Sequence, residues 1–322
     1  MLTSLLAIVI GLALLVWSAD RFVEGAAATA NNLGISTLII GITIIGFGTS
    51  APEILISLFS VFDNTPDLAI GNALGSNIAN IGLILGVTAL FVPLGFGSAL
   101  LKREFPILLL ASALLIWVLR DYHLQLLDGL LLLGLLVAAL IYLIRQSRGD
   151  KNDALVEELD HEIPSDMSTQ KALLWSIVGL LILVGSSKLL VWGAVDIATR
   201  LGVSELVIGL TIVAIGTSLP ELAAAIAGAR KGEPDLVMGN VIGSNLFNSL
   251  AVIGIPALLT EFHISPIAFS RDLSVTLALT LALFLMSRYP SSSCCVITRN
   301  KGIILLSSFV LYQVLLYWQA AQ

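Results

Sequence analysis

The feature that most constrains this chain is a long, ordered self-similarity. The segment Ile40–Glu53 (IGITIIGFGTSAPE) returns as Ile208–Glu221 (IGLTIVAIGTSLPE), identical at 9 of 14 positions. The segment Pro66–Asn80 (PDLAIGNALGSNIAN) returns as Pro234–Asn248 (PDLVMGNVIGSNLFN), identical at 9 of 15 positions. Both matches have the same offset of 168 residues, so each half of the chain carries the two motifs in one order and at one spacing. The similarity concentrates there; the later parts of the two halves share little beyond Arg103-Glu104 and Arg271-Asp272.

What lies between the copies decides what the repeat means. Of the 322 residues, 57% are hydrophobic and 12% are charged, against about 25% charged in soluble domains. A chain this apolar along its whole length has lipid as its main solvent, where only helices and closed barrels satisfy the backbone. The unbroken apolar runs predict helices, with spans near 2–18, 35–61, 67–93, 104–120, 125–145, 170–192, 203–229, 235–259, 268–287 and 302–319. The expected fold is therefore an all-α polytopic membrane protein of ten helices. Residues 1–146 and 170–322 form two five-helix repeats joined by an acidic linker over 147–169. That linker lacks the ligand spacing and turn glycine of an EF-hand and reads as solvated chain. The N-terminal run has no basic region or cleavage site and reads as a first span.

An offset of five spans is odd, so the second copy must lie upside down relative to the first. Inverted repeats of this kind place ion and substrate sites at the junction of the halves. Orientation follows from the basic residues: with loops assigned alternately, 12 fall on one side and four (Arg120, Lys188, Arg200 and Arg271) on the other. The richer side is cytoplasmic. Both ends of the chain are then expected outside, with the linker inside.

Within the motifs, Glu53 and Glu221 are the carboxylates placed well inside apolar spans, and ionisable residues there usually line an ion or proton path. Thr49 and Ser50 precede Glu53 by four and three residues, as Thr217 and Ser218 precede Glu221, so on a helix they share its face. Hydroxyls beside a carboxylate are hard oxygen ligands suited to Ca²⁺ or Na⁺. Pro52 and Pro220, with Gly46 and Gly48 near the first, predict a bend or break that frees the carbonyl of Gly48 or Gly216. In the following span Asn72, Ser76 and Asn80 form a stripe, with Gly71 and Gly75 beside it for close packing; Asn240, Ser244, Asn248, Gly239 and Gly243 match them. Asn77 and Asn245 lie one residue off the stripe and are assigned to helix bonding. Thr65 reads as a helix cap with Pro66 at the first helical position and Asp67 in the first turn, and Glu233-Pro234-Asp235 resembles it; Asp20, Arg21 and Glu24 read as interfacial, and Lys188 as snorkelling.

Competing chemistries find little support. The histidines His123, His161 and His263 fit no zinc spacing, no Walker-type loop occurs, and Ser50 and Ser218 have no histidine base nearby. No cofactor and no obligate protein partner is indicated. A net charge of −6 without a basic patch gives no reason to expect nucleic acid. The adjacent Cys294 and Cys295 make poor disulfide partners.

The doubled Gly-Thr-Ser-x-Pro-Glu and Gly-Asn-x-x-Gly-Ser-Asn-x-x-Asn motifs resemble the two α-repeats of the cation/calcium exchanger superfamily, and most closely those of bacterial inner-membrane calcium/sodium antiporters. The resemblance covers essentially the whole chain. It implies a secondary antiporter in which external Na⁺ drives Ca²⁺ out by alternating access, with no enzymatic activity. It also implies an acidic pair at Glu53 and Glu221 and hydroxyl ligands at Thr49, Ser50, Thr217, Ser218, Ser76 and Ser244. An amide ligand falls on Asn80 and carbonyl ligands on Gly46 and Ala214. Several family members carry aspartate where this chain has Asn248, which completes the stripe here as a neutral ligand. Exchange driven by H⁺ is the alternative, and a passive cation channel is a more distant one.

Overall fold

A computed structural model describes residues 1–33, 50–147, 167–232, 234–289 and 295–320. Gly46 and Thr49, and nearly all of the acidic linker, lie outside the described residues. What is described is predominantly helical, and seven helices are long and apolar enough to cross a membrane. The chain-order elements are α1 (Leu2–Asn32), α2 (Ala51–Phe62), α3 (Pro66–Phe91), α4 (Ser98–Leu119), α5 (Leu126–Ser147), α6 (Thr169–Leu201), α7 (Glu205–Thr217), α8 (Leu219–Lys231), α9 (234–259), α10 (Ala268–Arg288) and α11 (Arg299–Ala320).

The expected boundaries need two corrections. The spans near 2–18 and 170–192 are parts of much longer helices, α1 and α6. In α1 the alanine-rich run 26–30, made of the best helix former, carries the helix past Asp20, Arg21 and Glu24. The single span expected over 203–229 is two helices, α7 and α8, which meet at Ser218. Pro52 and Pro220 fall in the first turn of α2 and α8, where a missing N–H removes no helical bond.

The two long helices run antiparallel, and glycine sets their contact. A Cβ on Gly25 would lie 2.5 Å from Ser176 N, and one on Gly193 would lie 2.9 Å from Ser4 O. A Cβ on Gly179 would lie 2.6 Å from Phe22 N, and one on Gly11 would lie 3.3 Å from Leu190 N. Each contact has a counterpart: Gly11 and Gly179, Gly25 and Gly193, and Phe22 and Leu190 are related by the offset of 168. Small residues let the backbones approach where lipid offers no hydrophobic drive between helices. This pair, with parts of α2, α3 and α7, has an apolar cluster of its own around Leu15, Ile56, Leu183 and Val213. A larger cluster joins α3, α4 and α5 to α9, α10 and α11.

Short connections join the halves at the two ends of the helices. At one end β2 (His123–Leu124) pairs antiparallel with β3 (Phe262–His263), and Asp67 Oδ1 accepts the Ser265 N–H at 2.8 Å. At the other end β1 (Leu94–Gly95) pairs with β4 (Val296–Ile297), and Asp235 Oδ1 accepts the Gly97 N–H at 2.6 Å. Asp67 and Asp235 are counterparts, and so are Gly97 and Ser265. Both aspartates sit in the first turn of their helices, as the sequence predicts, and there they also clasp the opposite half. Thr65, the predicted cap, makes no side-chain cap bond; its hydroxyl donates to Ser60 O at 2.8 Å.

Candidate functional site

The site lies where α2, α3, α7, α8 and α9 converge. Ser50 and Ser218 occupy the positions just before α2 and α8 with nearly the same backbone, φ −91°, ψ 2° and φ −84°, ψ 3°. Each helix therefore starts inside the protein, and its glutamate sits in the first turn, where the positive end of the helix dipole favours a carboxylate. The carboxyl end of α7 stops beside them at Thr217, an arrangement by which broken helices present carbonyls to cations.

Glu53 and Glu221 are each 1% exposed. Among the described residues neither Glu53 carboxylate oxygen has a hydrogen-bond partner. Glu221 Oε1 accepts from Ser244 Oγ at 3.4 Å, and its Oε2 has none. Ser50 Oγ, Ser218 Oγ, Asn80 Oδ1 and both side-chain polar atoms of Asn248 are also buried without partners. Of the 12 buried side-chain polar atoms left unpaired among the described residues, nine belong to the two motifs. Since each costs about 1–3 kcal/mol when left unsatisfied, their concentration marks a site built to receive a polar guest. Oxygens make up all but one of the nine, a donor set of the kind that hard cations take.

The remaining hydrogen bonds tie the halves together around these atoms. Asn72 Nδ2 donates to Glu53 O and to Ser57 Oγ, both at 3.1 Å, which holds the start of α2 against α3. Thr217 Oγ1 lies 3.3 Å from Ser76 Oγ and 3.4 Å from Asn72 Oδ1. Ala214 O already accepts two hydrogen bonds, from Ser218 N at 3.1 Å and Thr217 Oγ1 at 3.2 Å. Of the residues singled out from sequence, the structure thus brings Glu53, Glu221, Ser50, Thr217, Ser218, Ser76, Ser244, Asn80, Asn248 and Ala214 into this junction. Gly46 and Thr49 are not described.

Two features escaped the sequence. Helices α3 and α9 each widen into a π-helical stretch, Asn80–Leu85 and Asn248–Val252, so each stripe ends where the backbone repeat changes. Such widenings often accompany functional sites. Asn77 and Asn245, read from sequence as helix-bonding residues, make their bonds across the halves. Asn80 Nδ2 donates to Asn245 Oδ1 at 3.0 Å, Asn245 Nδ2 to Asn77 O at 3.5 Å, and Asn77 Nδ2 to Ser249 Oγ at 3.0 Å. An amide at the same place in two aligned motifs was the available signal.

Among the described residues no three His, Cys, Asp or Glu side chains come together in the manner of a transition-metal centre. Among the described residues the buried polar atoms of the junction are those of two carboxylates, hydroxyls and amides.

Comparison with known proteins agrees with this geometry. The profile of the family described as "Sodium/calcium exchanger protein" matches residues 3–145 and 171–318. The chain is 47% identical to the putative antiporter CaxA of Alkalimonas amylolytica over 98% of this chain and 99% of that protein. It is 43% identical to the inner membrane protein YrbG of Escherichia coli over 99% and 98% of the two chains. A solved structure of the sodium-calcium exchanger NCX_Mj, soaked with Na⁺ and Sr²⁺, superposes with a TM-score of 0.65 at 31% identity, covering 96% of this chain and 97% of that one. The chain belongs to the sodium/calcium exchanger family of membrane proteins.

Proposed function

We propose that this protein is a secondary antiporter that exports Ca²⁺ in exchange for Na⁺ by alternating access. The observation that carries the reading is a pair of buried carboxylates, Glu53 and Glu221, set among unpaired oxygens and, among the described residues, in no ion pair with a cationic side chain. Burying a carboxylate without a counter-charge is strongly unfavourable. One Ca²⁺ neutralises two, and its six to eight oxygen ligands are available from Glu53, Glu221, Ser50, Ser218, Asn80 and Asn248, with Ser76, Ser244, Thr49 and Thr217 and the carbonyls of Gly46 and Ala214 beside them. Na⁺ uses the same oxygens, so the two ions compete, as antiport requires.

The same proposal includes the architecture: ten spans in two inverted five-helix repeats, in a bacterial inner membrane, with the basic face cytoplasmic and both ends of the chain outside. Support comes from the sorting of cross-half contacts. His123–His263, Asp67–Ser265 and Arg271–Gln319 join segments assigned outside. Leu94–Ile297, Gly97–Asp235 and Arg299–Leu90 join segments assigned inside. Antiparallel α1 and α6 are what an inverted repeat demands of its first helices.

The test is ⁴⁵Ca²⁺ uptake by proteoliposomes or everted vesicles under an imposed Na⁺ gradient. Uptake should follow that gradient and be abolished by Glu53→Gln and by Glu221→Gln. A flux indifferent to both Na⁺ and pH gradients would overturn antiport. One driven by pH alone would make H⁺ the coupling ion, a reading favoured by the neutral Asn248.

A further inference from the structure

Two charges on the long helices lie deeper than their sequence suggests. The facing pairs Gly11 with Leu190 and Phe22 with Gly179 keep one register along α1 and α6, so residues related by the offset of 168 come level near Trp17 and Gly185. Under the proposed inverted repeat the pseudo-two-fold axis lies in the membrane plane, which makes this level the middle of the membrane. Asp20 lies three residues beyond it on α1, toward Asn32. Its counterpart Lys188 lies three residues beyond it on α6, toward Leu201. At a rise of about 1.5 Å per residue, each is within about 5 Å of the middle of a hydrocarbon layer about 30 Å thick. The ~10 Å that remain to the headgroups are farther than an aspartate reaches and farther than the four-carbon stem of a lysine spans. Neither residue is interfacial or snorkelling at that depth, where ionisable groups mark ion paths.

The neighbouring charges cancel in pairs and these two do not. Arg21 pairs with Glu24 on α1, and Arg200 with Asp196 on α6. Among the described residues Asp20 and Lys188 are in no ion pair. Arg21 and Glu24 act on Asp20 with opposite signs, and Asp20 in turn repels the Glu221 carboxylate, so its charge is felt at the candidate site. Helix α1 also touches the wall of that site, where a Cβ on Gly216 would collide with Leu12.

We propose that Asp20 and Lys188 make the two approaches to the site electrically unequal: Asp20 draws Ca²⁺ in from the cytoplasmic face, where α1 ends and α6 begins, and Lys188 opposes Ca²⁺ that arrives from the other face. A cation entering from either side crosses the depth of one of them before it meets Glu53 and Glu221. Whatever is equal in the two halves treats the two faces alike, whereas aspartate in one and lysine in the other at a repeated place does not. A divalent ion feels twice the potential that Na⁺ feels. The pair therefore favours capture of Ca²⁺ over Na⁺ on the first face and disfavours it on the second, the bias an exporter of Ca²⁺ needs. The inference rests on the proposed exchange at this site and on its orientation.

The experiment measures the rate of Na⁺-gradient-driven ⁴⁵Ca²⁺ uptake at Ca²⁺ well below half-saturation, separately in everted vesicles, which expose the cytoplasmic face, and in right-side-out vesicles. Asp20→Asn should slow uptake about three- to tenfold in everted vesicles and less than about twofold in right-side-out ones. Lys188→Gln should speed it about three- to tenfold in right-side-out vesicles and change it less than about twofold in everted ones. Both differences from wild type should shrink when choline chloride is raised, because salt screens steering. Asp20→Glu, which keeps the charge, should behave like wild type, and the exchanged pair Asp20→Lys with Lys188→Asp should invert the ratio of the two faces. If Asp20→Asn does not fold, Asp20→Ser takes its place, and the Lys188→Gln arm stands by itself. Equal changes at both faces, changes at the opposite faces, or none would overturn the proposal. Wild-type dependence on the Na⁺ gradient and the loss in Glu53→Gln are read in the same vesicles. With both intact, a failed sidedness sinks only the roles of Asp20 and Lys188.

Discussion

The two copies of the motif hold the same glutamates, hydroxyls and amides, yet they stand in different surroundings. The first copy is closed: Asn72 bonds to Glu53 O and Ser57, Gly71 and Gly75 press on α7, and Asn80 has a partner. The second is less enclosed at its amides: Asn240 is half-buried, and Asn248 bonds to nothing described. Only the glutamates reverse the order, since Glu221 has a hydroxyl partner and Glu53 has none. Near-identical sequences can differ this way because close-packed interfaces hold one of two arrangements rather than an average.

The largest expected effects break the comparison outright. If both glutamates serve one shared cation, Glu53→Gln and Glu221→Gln should each reduce exchange more than about 100-fold, since each removes a charge from a dry site. Gradient-driven ⁴⁵Ca²⁺ flux measures this, and a variant that retained half its flux would show that the halves do not share the ion. The next effect is one of packing. Gly71→Ala places a Cβ 2.5 Å from Leu206 O, an overpacking that costs about 1–3 kcal/mol and lowers the melting temperature in detergent. A third effect reads the difference in enclosure directly. With Cys294 and Cys295 replaced by serine, Asn240→Cys should react with a membrane-impermeant thiol reagent at least tenfold faster than Asn72→Cys. Equal rates would remove the asymmetry from the membrane-bound protein.

Much of this was legible in the sequence, for identifiable reasons. Charge scarcity in lipid singles out Glu53 and Glu221, and the doubled motif shows which polar residues accompany them. Helix type and approximate extent followed from apolar runs, because lipid leaves the backbone little choice. The register of the helix ends did not follow: Asp20, Arg21 and Glu24 read as the end of a span, although the helix-forming alanines after them carry α1 on to Asn32. The break at Ser218 was signalled by proline, but its consequence, a glutamate in a first turn, depends on where the next helix begins. Partner choice was the least legible part. Asp67 and Asp235 read only as first-turn residues because local spacing can show only local partners, and their acceptor roles toward Ser265 and Gly97 depend on segments far along the chain. The π turns at Asn80 and Asn248 were hidden for a related reason: one added residue per turn leaves the apolar pattern nearly unchanged.

The smallest expected effect concerns the part of the molecule that is symmetric. Unlike the amides, the two aspartate clasps are both made, at opposite ends of the helices, so they should be indifferent to how enclosed each copy is. Each is a backbone N–H donating to a carboxylate, a class worth about 1.5–3 kcal/mol when shielded and less in water. The Asp67–Ser265 bond is partly buried and the Asp235–Gly97 bond is exposed. Asp67→Ala should therefore cost about 1–2 kcal/mol in thermal unfolding and Asp235→Ala about half of that, while Asp→Asn at either place keeps the accepting oxygen and most of the stability. Neither change should alter thiol reactivity at Asn240→Cys. If Asp235→Ala slowed that reaction while Asp67→Ala hastened it, each clasp would be holding one face of the site, and the symmetric ends would belong to the moving part. If both left it unchanged, the clasps fix a frame within which the two copies of the motif differ.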